Sequence, residues 1–164
     1  MNTSPIPSGS DLPEVSGPGP QTIHQVGRNE YPTALKRSLY ILCIDDDALI
    51  LEVTKDCLAY FEHRVRVASG GKNGIQLFCN AILKSEPYDA VITDLRMPDM
   101  DGWQVARMIK AESPNTPVIM MTGDDRLTEE DRAMTPAVDV VVSKPPHMQE
   151  LNELLLRVTG YHDN

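Results

Sequence analysis

From Leu39 onward, short apolar runs alternate with segments whose apolar residues recur every three or four positions. Leu39-Tyr40-Ile41-Leu42-Cys43-Ile44 is an unbroken apolar run that stops at three aspartates, Asp45-Asp46-Asp47. Ala90-Val91-Ile92-Thr93, Val118-Ile119-Met120-Met121 and Val138 to Val142 are further runs of this kind. Val65 and Val67 instead alternate with Arg64 and Arg66. Continuous runs predict strands covered on both faces, and the alternating run predicts a strand at a sheet edge. Between them lie helical patterns. Ala48, Leu51, Leu58 and Phe61 recur at roughly helical spacing. Asn73 to Ser85 carries Ile75, Leu77, Phe78, Ile82 and Leu83, and Trp103 to Ala111 carries Val105, Ala106, Met108 and Ile109. A short helix is predicted from Thr128 to Met134, closed by Pro136. The last helix carries Met148, Leu151, Leu154, Leu155 and Val158 and ends at Gly160. A strand followed by a helix, repeated five times, predicts an α/β fold. Its core is a five-stranded parallel sheet with helices on both faces.

Residues 1–37 follow no such pattern. Six Pro, four Gly and four Ser make up 14 of the 37, and the apolar residues are scattered. This composition predicts a disordered extension, because too little surface is available to offset the entropy of ordering. Residues 38–160 form the expected domain, and 161–164 are a short tail with no room for an output domain. The extension's charges cancel, so the net −9 belongs to residues 38–164, with 12 basic and 21 acidic groups. Such a surface repels DNA and anionic membranes, so neither is expected as a direct partner. No apolar run approaches a membrane span, and the first residues lack the basic and apolar regions of a signal peptide. Three cysteines (Cys43, Cys57, Cys79) with no metal-type spacing fit reduced thiols in a cytoplasmic protein.

In sheets of this class, functional groups gather beyond the carboxyl ends of the strands. Asp45, Asp46 and Asp47 follow the first strand, Asp94 the third, Thr122-Gly123 the fourth and Lys144-Pro145 the fifth. Carboxylates crowded together repel unless a cation joins them. Mg²⁺ takes oxygen ligands and keeps several waters, and Asp45, Asp46 and Asp94 are suited to hold it. Lys144 is placed to pair with Asp94 or with an anion on it, and Thr122 to donate to the same anion. The set fits a carboxylate nucleophile that accepts a phosphoryl group, with a metal and a lysine neutralising the phosphoryl oxygens.

Asp94-Leu95-Arg96-Met97-Pro98-Asp99-Met100-Asp101-Gly102 resembles the D-x-x-M-P-x-x-D-G signature of response-regulator receiver domains. The acidic cluster, the threonine and the Lys-Pro pair match in order, and the resemblance covers about residues 38–160. It implies a CheY-like, flavodoxin-like doubly wound (βα)5 fold with strand order 2-1-3-4-5. It implies that Asp94 is the phosphoacceptor, that Asp45, Asp46, Asp94 and the Arg96 carbonyl hold Mg²⁺, that Thr122 senses the phosphoryl group and that Lys144 pairs with it. A cis Lys144-Pro145 bond is also implied, and Asp47 is expected to cap a helix instead of binding metal. The donor would be a histidine kinase or a histidine-phosphotransfer protein. The only catalysis expected is the domain's own phosphorylation and dephosphorylation at Asp94.

The chain departs from the family at Val141, where receivers carry Tyr or Phe, and at Pro146, often Phe. In the family that aromatic side chain reports phosphorylation at the surface, and valine lacks the rotamer exchange. Arg96 and Asp124 flank the expected phosphoryl position, and bridging between them would hinder the attacking water. The leading reading is a stand-alone response regulator that signals by phosphorylation-dependent protein contacts. The alternatives are a phosphorelay intermediate or phosphate sink, and the receiver of a hybrid histidine kinase with residues 1–37 as its linker. A fourth reading, a phosphatase of the haloacid-dehalogenase type built on Asp45-x-Asp47, leaves the Asp94 signature unexplained and lacks a capping insert. Phosphorylation-linked dimerisation is common in the family, and nothing here selects for or against it. His24, His63, His147 and His162 are expected at the surface or in the tails. Cys43, Cys57 and Cys79 are expected to be structural, the methionines to pack the core or flank the site, and Trp103 to pack at the start of a helix.

Overall fold

In the computed structural model, the described residues are 38–123 and 135–160. The extension, the last four residues, the helix expected at Thr128–Met134 and Asp124 lie outside them. The chain runs through β1 (Tyr40–Asp45), α1 (Ala48–Tyr60), β2 (Arg64–Ser69), α2 (Gly71–Leu83), β3 (Ala90–Asp94), α3 (Gly102–Glu112), β4 (Val118–Thr122), a 3₁₀ turn (Thr135–Ala137), β5 (Val140–Ser143) and α4 (Met148–Val158). All strand pairs are parallel, in the order β2-β1-β3-β4-β5. The fold predicted from the alternation, and the strand order implied by the resemblance, are both found.

Strand residues alternate between two cores, as the pleat requires. Ile41, Cys43, Ile92, Ile119 and Met121 pack with Leu51 and Leu58 of α1 and with Leu151, Leu154 and Leu155 of α4. Leu42, Ile44, Val91, Val118 and Met120 face the other way, toward Phe78 and Ala81 of α2 and Trp103, Val105 and Ile109 of α3. β1, β3 and β4 are therefore buried on both sides, which is why their sequences are apolar without interruption. Fully burying one such side chain is worth about 1.5–3 kcal/mol. Burial pushes the Cys43 thiol up to about 12, and the neighbouring Asp45 charge adds to this, so Cys43 is an unreactive core residue as expected.

Several boundaries and placements differ from expectation. α2 begins at Gly71, before the expected Asn73. Glycines signal turns, but here Gly70 (φ +89°) turns the chain and Gly71 already lies in the helix. β5 is shorter than Val138–Val142 and its valines are only half-buried. Val140 and Val142 touch one core and Val141 the other, but β5 is an edge strand and none of the three is fully enclosed. Asp139 stays outside β5, and its carboxylate accepts the Val118 N–H at 2.7 Å. Asp89 does the same before β3, accepting the Tyr40 N–H at 2.7 Å. Met108 is exposed, on the outer side of α3.

His63 is a clear correction to the surface placement. It is buried, its Nδ1 accepts the Leu39 N–H at 3.2 Å, and its Nε2 meets Asn152 Oδ1 at 2.7 Å. An accepting Nδ1 leaves Nε2 as the protonated nitrogen, so the ring is the neutral Nε2–H tautomer. It ties the start of β1 to α4 from the turn before β2. His63→Ala leaves the buried Leu39 N–H without this partner and opens a cavity, so a loss of about 2 kcal/mol is expected. Asn152→Ala is expected to cost less, because Asn152 is only half-buried. Urea unfolding at neutral pH compares the two.

Candidate functional site

Three strands of the sheet and the residue after β5 bring the predicted groups to one edge. Asp45, the last residue of β1, is buried, and its Oδ1 accepts the Asp47 N–H at 2.9 Å. Asp47 caps α1 as expected: its Oδ1 accepts from the N–H groups of Leu49 at 2.8 Å and Ile50 at 3.4 Å. Such a cap is worth about 1 kcal/mol. Asp46 lies between them with its side chain exposed. Asp94 ends β3 and is buried, and its Oδ2 accepts the Arg96 N–H at 3.0 Å. Thr122 ends β4, also buried, and its carbonyl accepts the Lys144 N–H at 2.7 Å.

Lys144 joins the carboxylates. Its ammonium lies 2.6 Å from Asp45 Oδ2 and 2.6 Å from Asp94 Oδ1. The expectation paired Lys144 with Asp94 or with an anion on it, and the contact with Asp45 is an addition. β1 and β5 are separated in the sheet by β3 and β4, so linear sequence gives no signal for this pairing. Burial pulls the Lys144 pKa down, but the hydrogen bonds and charges of Asp45 and Asp94 outweigh it, and the net shift is upward. Lys144 is thus firmly protonated wherever the two carboxylates are charged. The following Lys144-Pro145 bond is cis, as the resemblance implied.

Carboxylate oxygens of Asp45, Asp46 and Asp94 lie within 4.8 Å of one another. At that spacing and an effective dielectric near 20, two full charges repel by roughly 3 kcal/mol. A cluster of oxygen donors with one exposed member fits a hard divalent cation that retains water. The residues present therefore fit Mg²⁺, with Lys144 sharing two of its three carboxylates.

The loop from Leu95 to Asp101 is held at both ends. Leu95 N–H donates to Met121 O at 3.0 Å, and Gly102 N–H to Leu95 O at 2.9 Å. Asp101 and Gln104 form a reciprocal capping box at the start of α3. A Cβ on Gly102 would overlap the Asp94 carbonyl oxygen and lie 3.1 Å from Leu95 Cα, so only glycine allows α3 to start this close to β3. Arg96 is exposed, and Trp103 is buried one residue after Gly102. Val141 is half-buried against the α2–α3 core. The proposed Arg96–Asp124 bridge falls partly outside the described residues.

The response regulator receiver domain family matches residues 41–156. The chain belongs to this family, the receiver modules of two-component signal transduction. It is 33% identical over 126 residues to the transcriptional regulatory protein QseB of Haemophilus influenzae, covering 74% of this chain and 55% of that protein. It is 28% identical over 111 residues to the response regulator MprA of Mycolicibacterium vanbaalenii, covering 68% of this chain and 46% of that one. The chain thus spans about half the length of the curated relatives it matches. Among solved structures, it superposes on a response regulator receiver domain protein from Clostridium thermocellum with TM-score 0.67 and 30% identity, covering 74% of this chain and 94% of the other. The TrrA response regulator of Thermotoga maritima, solved with Mg²⁺ and BeF, gives TM-score 0.61 and 26% identity over 73% of this chain and 98% of its own. Among the described residues, no helix is long and apolar enough to cross a membrane.

Lys144→Met removes the ammonium from both carboxylates. A loss of about 2–4 kcal/mol is expected at pH 7 without divalent ions, and added Mg²⁺ is expected to restore part of it. A lysine whose pKa rises on folding stabilises below its unfolded value and loses that contribution as pH climbs through the folded one. The wild-type advantage should therefore persist at pH 7–10 and shrink only above the ordinary lysine value of 10.5. Urea unfolding of both proteins across that range, with and without Mg²⁺, checks the sign.

Proposed function

We propose that the chain accepts a phosphoryl group on Asp94 from a histidine kinase or a histidine-phosphotransfer protein, and signals by phosphorylation-dependent protein contacts. The observation that carries this reading is the meeting of Asp94, Asp45 and Lys144 through 2.6 Å ion pairs at the carboxyl edge of the sheet, with Asp46 beside them. A carboxylate oxygen of Asp94 attacks phosphorus, the phosphorus–nitrogen bond of the donor phosphohistidine breaks, and the imidazole leaves with the electron pair and takes a proton. Asp45, Asp46, Asp94 and the Arg96 carbonyl would hold Mg²⁺, which when bound would supply charge neutralisation of the phosphoryl oxygens. The protein's own groups do the rest. The Arg96 N–H orients Asp94 through Oδ2. Lys144 moves from neutralising Asp45 and Asp94 to neutralising the incoming phosphoryl group, and the Thr122 hydroxyl donates to the same oxygens.

The surroundings suit a protein donor. An apolar groove of about 340 Å³ runs beside the site, lined by Ile50, Val53, Met121, Pro146 and Met148 and reaching Lys144. Val53, which lines it from α1, is exposed, as is Leu49 on the same helix. A donor reaching Asp94 would cover this surface. The net charge of −9 supports protein contact over nucleic acid as the output of the domain. Residues 38–160 are the receiver in this reading, and 1–37 an extension to it. A second reading, a phosphorelay intermediate that passes the phosphoryl group onward, is favoured by Val141, because valine lacks the aromatic rotamer exchange that reports phosphorylation in receivers.

Incubation with Mg²⁺ and acetyl phosphate, followed by intact mass measurement, tests the chemistry. One added phosphoryl group is expected, absent when Mg²⁺ is chelated before the donor is added and absent in Asp94→Ala. Modification that persists in Asp94→Ala would overturn the assignment of the acceptor.

A further inference from the structure

The segment after β3 is anchored at its ends, as described, yet its middle bulges outward through a tight turn. Asp99 adopts a left-handed conformation (φ +66°), and Met100 N–H donates to Pro98 O at 2.7 Å. This turn lands on the first residue of α2. A Cβ placed on Gly71 would lie 2.8 Å from the Met100 carbonyl oxygen and 2.9 Å from both Met100 Cβ and Cγ. Those distances are too short for real contacts. Because one of the three atoms is backbone, rotating the flexible Met100 side chain would not relieve them. Any side chain at 71 must displace the loop itself. Met100 is half-buried against the α2–α3 core, and Lys72 pairs with Asp99 at 3.8 Å across the same junction. Both members of that pair are highly exposed, so it adds little. The steric seat is the dominant contact.

We propose that Gly71 is a positioning residue for the phosphoacceptor loop. Its lack of a side chain lets the Met100 backbone rest on the start of α2, and that seat sets the path of the Leu95–Asp101 segment carrying the Arg96 N–H and carbonyl. The Arg96 N–H orients Asp94. The inference rests on the reading of Asp45, Asp46, Asp94 and the Arg96 carbonyl as a Mg²⁺ site. Gly71 touches none of these groups and acts only through Met100.

The test is Mg²⁺ binding by the full chain, read by titration calorimetry and by Trp103 emission. Gly71→Ala is expected to raise the half-saturating Mg²⁺ concentration by about threefold or more, as groups outside the ligand shell commonly shift metal affinity. Met100→Ala removes Cγ and the rest of the side chain from the seat without overpacking, while the carbonyl and Cβ remain, so a smaller shift in the same direction is expected. It also carries the test if Gly71→Ala does not fold. In the double variant the two shifts should fall short of additive, because both act through one contact. Phe78→Leu, in the core face of the same helix, is the control: its melting temperature should drop while Mg²⁺ affinity stays near wild type. Unchanged affinity in Gly71→Ala and Met100→Ala would overturn the proposal, as would a shift of equal size in Phe78→Leu. A wild-type protein that does not bind Mg²⁺, or an Asp46→Asn variant that binds it unchanged, would instead remove the metal site itself, and this proposal with it.

Discussion

Two buried carboxylates, Asp45 and Asp94, share one ammonium, that of Lys144, at 2.6 Å each. Much of the rest of the molecule follows from that constraint. Carboxylates this close are costly to ionise together without a cation. The chain supplies one covalently, from the residue after β5. The same negative field suits a divalent metal, and the same lysine suits a phosphoryl group. An ion bound here would compete with Lys144 for Asp45 and Asp94, and under the proposed function a phosphoryl group on Asp94 would give the displaced ammonium a new partner. Charge balance at the edge would thus be kept while its components exchange. A site built this way is able to change occupancy without exposing an uncompensated buried charge.

The scaffold's task is to hold these groups in register. Parallel strands put Asp45, Asp94 and Thr122 at their carboxyl ends, and the uninterrupted apolar runs of β1, β3 and β4 bury the strands that carry them. At the opposite edge, Asp89 and Asp139 accept N–H groups from neighbouring strand starts, and His63 ties β1 to α4. These contacts share a logic. Backbone groups at the sheet's amino edge are satisfied by side chains, so the sheet needs no further strand residues there. Gly102 and Gly71 then let α3 and the Met100 turn approach closely, which side chains at those positions would prevent.

Much of this was legible before the structure. The period of the apolar residues identified five strands and the four helices found among the described residues, because doubly covered strands and amphipathic helices write different repeats. The residues following each strand pointed to the site, because a parallel sheet collects strand ends on one edge. What stayed illegible was side-chain pairing between residues far apart in sequence. Asp45 with Lys144 is one case, and His63 with Leu39 and Asn152 is another. A histidine in a polar turn carries no signal of burial until its neighbours are known. Gly71 was similarly opaque: a glycine at a helix start reads as a turn, and the atom that requires it, the Met100 carbonyl, lies on another loop. β5 misled in the other direction, because an apolar valine run is compatible with a fully buried strand or with a half-buried strand at the sheet edge.

The most direct measurement of this account is a crystal structure of the chain with Mg²⁺ and beryllium fluoride. A fluoroberyllate is expected on an Asp94 oxygen, with Mg²⁺ on Asp45 and Asp46 and the Lys144 ammonium moved off Asp45 onto a fluorine. A structure in which the fluoroberyllate sits on another residue, or in which Lys144 keeps both carboxylates while Asp94 carries the group, would contradict it.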